Sequence, residues 1–157
     1  MPKTKKTKPI KKNREQVAAL PFRKSPSGEI EILLITSRET RRFIIPKGWR
    51  MKSKKPWQAA AIEARQEAGV KGDVSAKPFG TYTYWKRMAR YFQLIDVEVY
   101  PLEVKKESSK WREKDERQRK WLTVADAALL IDEPELVSLV LEFGGGPRPK
   151  RLGAFLR

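Results

Sequence analysis

Apolar residues are grouped in short runs along the first half of the chain. Strand patterns fall at about 17–23, 29–37 and 42–46, and Ser25 to Gly28, built around Pro26, forms the turn between the first two. Residues 56–68 read as a helix. Strand candidates follow at about 72–86 and 89–100, the second marked by alternation from Met88 to Tyr100. Residues 105–120 are dense in charge and read as a loop. Trp121 to Thr123 adds a short strand, and Val124 to Ile131 and Glu133 to Phe143 read as helical with an interruption at Pro134. The body has no internal repeat. Runs of strands around two helical regions predict an α/β chain with a mixed β-sheet between α-helices.

The helix at 56–68 carries the most chemistry. Pro56 suits its first position, where the missing N–H costs nothing, and Gly69 suits the left-handed residue that ends it. At about 100° per residue, Glu63 and Glu67 lie about 40° apart with Gln66 beside them. Trp57, Ala60, Ala61, Ala64 and Ala68 gather on another face, so the carboxylates are expected off the core stripe. Two carboxylates on one helix, directly after the glycine loop at Gly48, form a candidate divalent-metal site for phosphate chemistry. With neither Cys nor His in the chain, the usual structural zinc sites, imidazole catalysis and thiol nucleophiles are excluded. Carboxylate donors favour hard cations, which makes Mg²⁺ or Mn²⁺ the consistent choice.

The stretch from Gly48 to Val70 resembles the Nudix box, GX5EX7REUXEEXGU with U aliphatic. Gly48, Glu63, Ala64, Glu67, Gly69 and Val70 match with the spacing intact. Lys54, Ile62 and Gln66 stand where the pattern has Glu, Arg and Glu, so the box is degenerate. Residues 18–23 and 32–48 resemble the strands and approach loop that precede the box. The segment from Trp111 past Trp121 is similar to the diphosphoinositol polyphosphate phosphohydrolase branch, which also hydrolyses diadenosine polyphosphates. The resemblance covers roughly residues 16–143 and implies the Nudix fold. It also implies metal binding by Gly48, Glu63, Gln66 and Glu67, with Glu63 and Glu67 catalytic, and a diphosphate substrate. Ile62 removes the cation that would hold Glu63, and Gln66 offers only a neutral oxygen.

Net charge changes the picture at the ends of the chain. The formal charge is +16, with seven Lys/Arg and no acid in residues 1–14 and four Lys/Arg and no acid in residues 145–157. The expected organisation is a basic, disordered tail over 1–14, a domain over 15–144 and a basic flexible tail over 145–157, from which Leu152, Phe155 and Leu156 can dock back. Such tails attract nucleic acid without sequence preference, or simply keep the chain soluble. No stretch is apolar and long enough to span a bilayer, and a cysteine-free chain needs no oxidising compartment, so the expectation is a soluble, cytoplasmic protein.

Phosphate ligands are sought among the cations near the glycine loop. Arg38, Arg41 and Arg42 precede it, Lys47 is in it, and Arg117 and Arg119 stand before Trp121. Guanidinium forks pair with phosphate oxygens, and the same side chains also serve in salt bridges with Glu113, Asp115 and Glu116. Tyr82, Tyr84, Trp85, Tyr91 and Phe92 are divided between core and surfaces able to stack on a base. Two classes of function remain open: a metal-dependent phosphohydrolase of a highly phosphorylated small molecule, and a module of the same fold that has lost its chemistry and holds RNA or a nucleotide.

Overall fold

The computed structural model describes residues 13–145. The two predicted tails fall outside the described residues except for Asn13, Arg14 and Gly145. Arg14, counted with the tail, opens the first strand. Eight strands form one sheet: β1 (Arg14–Lys24), β2 (Ile30–Thr36), β3 (Phe43–Ile44), β4 (Lys47–Trp49), β5 (Val70–Val74), β6 (Gly80–Arg87), β7 (Phe92–Glu107) and β8 (Arg119–Thr123). The main path runs β3-β2-β1-β7-β5, with β4 beside β1, β6 beside β7 and β8 beside β2. Only the β1/β7 pair is parallel, from Arg14 opposite Ile95 to Phe22 opposite Glu103, so the sheet is mixed as expected.

Helices cover both faces. Helix α1 (Pro56–Glu63) runs on into one wide π turn (Ala64–Ala68). Its alanines pack on Val17, Ala19, Leu33, Ile35, Tyr100 and Leu102. On the other face, α2 (Val124–Leu130) and α3 (Pro134–Phe143) lay Ala127, Leu136 and Val140 on Ala18, Leu20, Ile32, Leu34, Val97 and Val99. β1 and β2 are therefore buried on both sides, which is why they read as unbroken apolar runs rather than alternating ones. Pro134 does not kink a helix. It occupies the first turn of α3, where a lost N–H is harmless, and so separates two helices.

The structure departs from the sequence pattern in three places. The glycine loop holds a short strand, β4, in which Gly48 pairs with Val17. The predicted strand at 72–86 is two strands, parted by the turn in which Ser75 Oγ accepts from the Lys77 amide at 3.2 Å. The charged loop begins only after Glu107, because β7 continues as an exposed ladder against β5, with Lys71 opposite Lys106 and Val70 opposite Glu107.

That ladder contains a bulge between Lys71 and Gly72. A methyl group on Gly72 would run into the Glu103 carbonyl, a backbone atom that cannot swing aside. Gly72→Ala should therefore cost about 2 kcal/mol and lower Tm by roughly 4–8 °C, whereas Gly28→Ala, in open space but at φ 85°, should cost about 1 kcal/mol from backbone strain alone. Differential scanning calorimetry checks both; equal Tm values for Gly72→Ala and the parent would contradict the close approach.

Candidate active site

Glu67 is buried to 4% exposure, not displayed on a free face. The buried side of the box helix includes Ala59, Ala60, Ala64 and Ala68, while Ala61 is only partly covered, so its centre lies nearer Glu67 than the predicted stripe did. Arg117 follows it inside. This guanidinium, 8% exposed, reaches Glu67 Oε1 at 3.4 Å and Glu113 Oε1 at 3.3 Å, and donates to the Thr36 carbonyl at 3.1 Å. The other Glu67 oxygen, Oε2, accepts a long bond from the Lys47 amide at 3.4 Å.

Glu63 lies over Gly48. A Cβ at that glycine would occupy the place of the Glu63 carboxylate, so the bare backbone of β4 makes room for the acid. The first box residue and the first box glutamate are thus linked by packing. Ile62 shares a shallow surface cavity with Arg65, Lys71 and Leu102, and Gln66 shares its neighbour with Arg65, Lys71, Ser108 and Arg112. The cation missing at Ile62 is not replaced on the helix. Arg117, from the far side of the sheet sequence, supplies one to Glu67 instead.

Residues 108–118 finish the helix. The last turn of a helix leaves carbonyls without partners. Here the Gln66 carbonyl accepts from the Glu113 amide at 3.1 Å and the Glu67 carbonyl from Trp111 Nε1 at 3.1 Å. Arg119 donates to the carbonyls of Ala68 at 3.0 Å and Gly69 at 3.3 Å while its guanidinium stacks 4.0 Å from the Trp111 ring. A cation at this end also meets the negative pole of the helix. Arg117 and Arg119 are therefore engaged in holding the site together, and neither presents a free fork to a ligand.

The remaining predicted cations separate into two groups. Arg42 donates to Glu133 at 3.0 Å, and Lys47 places its ammonium 5.1 Å from the Tyr84 ring, whose hydroxyl donates to Gln16 at 2.7 Å. Arg38 is mostly exposed and lies 3.7 Å from Glu113, and Arg41 is exposed with φ 57°. Glu113, Trp111 and Glu133 were missed as site residues. The four-residue spacing of Glu113 and Arg117 was the available signal; nothing local marked Glu133, whose Oε2 is buried without a hydrogen-bond partner.

Electrostatics in the site favour a cation. Burial pushes the Glu67 carboxyl up to about 7, against the pull of Arg117 and with the help of Glu63. Glu63 is raised for the same reason, with Glu113 adding to the shift. Burial also lowers Lys47 to about 8, opposed by Glu67. Among the described residues no three acidic side chains are close enough to cage an ion by themselves. Glu63 and Glu67 nevertheless offer hard oxygen donors whose charge is under-compensated, beside a cradle that a Cβ would fill, and this set fits Mg²⁺ or Mn²⁺.

No family model matches the chain. It is 32% identical over 123 residues to Nudix hydrolase 16, mitochondrial, of Arabidopsis thaliana, covering 75% of this chain and 68% of that protein. It is 29% identical over 125 residues to the same plant's Nudix hydrolase 13, mitochondrial, and 32% identical over 117 residues to its Nudix hydrolase 21, chloroplastic, each covering 73% of this chain. The matches span 60% and 58% of those two relatives' lengths, and 51% of Nudix hydrolase 12. A C. elegans Ap4A hydrolase in a binary complex superposes with a TM-score of 0.62 at 23% identity, covering 91% of this chain and 97% of that one. The NUDIX domain of Shewanella oneidensis NrtR complexed with ADP ribose superposes with a TM-score of 0.63 at 15% identity, covering 88% and 94%. These two share the fold. The box bounded by Gly48 and Gly69, its glutamates and the curated relatives together identify the chain as a member of the Nudix hydrolase family.

In metal-free protein, Glu67 binds a proton more tightly folded than unfolded. Its contribution to stability is thus full below about pH 4.5 and lost as pH rises towards 7. Glu67→Gln should gain on the parent by about 3 kcal/mol or less across that window, measured by urea unfolding in EDTA; parallel curves would contradict the burial of a strained carboxyl. Arg117→Ala leaves two buried carboxylates unopposed and should cost about 3 kcal/mol at pH 7.5, and less at pH 5.

Proposed function

We propose that the chain is a metal-dependent phosphohydrolase that cleaves a diphosphate linkage in a highly phosphorylated nucleotide or inositol compound, with a site attenuated by its degenerate box. The observation that carries this reading is the buried Glu67, fixed by Arg117 next to Glu63 over Gly48. A buried acid with compensating charge supplied from a distant segment is costly, and a solvated helix face would not need it.

Glu63 and Glu67 are the residues to hold Mg²⁺ or Mn²⁺. When bound, the cation offsets negative charge on the phosphate oxygens. Lys47, half-buried and cationic at neutral pH, meets the same charge from β4, and Arg41 and Arg38, the latter exposed beside Glu113, can approach from the loop. Glu63, less buried than Glu67 and with its proton affinity already raised, is suited to take the proton of the attacking water. Arg117 keeps Glu67 from turning away. The structural neighbours, a C. elegans Ap4A hydrolase and a NUDIX domain complexed with ADP ribose, support a substrate with a phosphate–phosphate link. The reading as a binding module draws on one observation, the neutral Gln66 standing where the box has a glutamate.

The deciding assay incubates purified protein with Mg²⁺ or Mn²⁺ and a panel of dinucleoside polyphosphates, diphosphoinositol polyphosphates and nucleoside diphosphate derivatives. Release of phosphorylated product that stops on addition of EDTA and falls about 100-fold in Glu67→Gln is expected. Tight Mn²⁺ binding without turnover of any panel member would favour the module instead.

A further inference from the structure

The end of the β6/β7 hairpin is unlike the rest of the surface. Trp85 is 64% exposed, Tyr91 57% and Phe92 64%, and three of the four exposed large aromatics among the described residues are therefore at one tip. Packing does not account for them. Lys86, Arg87 and Arg90 are interleaved with the rings, and no acid occurs between Tyr84 and Ile95. None of these three cations forms an ion pair among the described residues, whereas Arg23, Arg38, Arg42, Arg50 and Arg117 all do.

Register places the rings for use. Trp85 pairs with Leu94 and Arg87 with Phe92, and side chains directly opposite in an antiparallel pair share one face. Trp85 and Phe92 are thus diagonal neighbours on that face with Arg87 beside them. Lys86 is on the opposite face with Tyr84, and Arg90 is in the turn closed by the bond from the Met88 amide to the Tyr91 carbonyl at 2.8 Å. Two exposed rings on one face, edged by Arg87 and by Arg90 of the turn, match a chain that has π-faces along one side and phosphates along the other.

We propose that this hairpin is a binding platform for a single-stranded polynucleotide, whose unpaired bases stack on Trp85 and Phe92 while Arg87 and Arg90 follow the phosphates. Base stacking on aromatic rings tolerates any sequence, and the cationic edge makes the binding depend on salt. A protein partner or a second copy of this chain would need carboxylates or aliphatic surface to complement three unpaired cations. The platform is separate from the attraction exerted by the basic tails, and it stands whether or not the site hydrolyses anything.

The test uses the full chain in EDTA, so that cleavage plays no part, with fluorescein-labelled U12 RNA and its deoxy counterpart followed by anisotropy over a salt series. Trp85→Ala/Phe92→Ala should weaken single-strand binding about tenfold or more with an unchanged salt slope. Arg87→Gln/Arg90→Gln should flatten the log-log slope by about 1.4. Binding of a duplex of equal length, which offers no unstacked bases, should not respond to the ring variant, and Trp85→Phe should retain affinity. Unaltered U12 binding by the ring variant, with circular dichroism like the parent's, would overturn the proposal. So would a ring variant that loses self-association or capture by anionic vesicles while holding RNA as before.

Discussion

The site depends on one guanidinium. Arg117 lies between Glu67 of the box helix and Glu113 of the following segment, and it also donates to the Thr36 carbonyl at the end of β2. Three parts of the chain, far apart in sequence, meet at a planar group with a fixed set of donor directions. A buried ion pair of this kind contributes little net stability, because desolvation consumes most of the attraction. Its contribution is geometric. It fixes where Glu67 can be, and through the Glu113 amide and Trp111 it fixes the end of the helix that bears it.

This arrangement changes the meaning of the degenerate box. In the linear pattern, Ile62 and Gln66 look like two losses from one metal site. In space they border shallow surface cavities lined by Arg65 and Lys71. The remaining acids, Glu63 and Glu67, hold their places through Gly48 and Arg117, neither of which is on the helix. The π turn over Ala64–Ala68 lies within this same stretch, where widened turns recur at functional sites.

Much of the fold was legible because burial on both faces leaves apolar runs, and because Pro56, Gly69 and Pro134 mark helix ends by steric rules that act locally. β4 was not legible: Lys47, Gly48 and Trp49 have no periodicity, and the strand exists only because β1 offers it an edge. The end of β7 was hidden by the exposed Lys105, Lys106 and Glu107, of which Lys106 and Glu107 pair with β5 through backbone. Within the site, the spacing of Glu63 and Glu67 could be read from helix geometry. The burial of Glu67 could not, since it depends on which alanines meet the sheet. Arg117 and Arg119 were legible as cations before Trp121, but not as the pair that closes the helix, because their partners are about fifty residues away.

The parallel ladder between β1 and β7 bears on how the chain is made. β1 takes its place between β2 and β7, yet its partners Ile95 to Glu103 follow it by about eighty residues. A ribosome adding about 5–20 residues per second exposes Val17 to Leu20 for several seconds or more before that edge can be covered. During that interval the first strand, apolar on both sides, has only β2, β4 and the box helix for shelter. Nascent chains are thus most open to capture by chaperones, or to pairing with one another, before the second half of the sheet emerges.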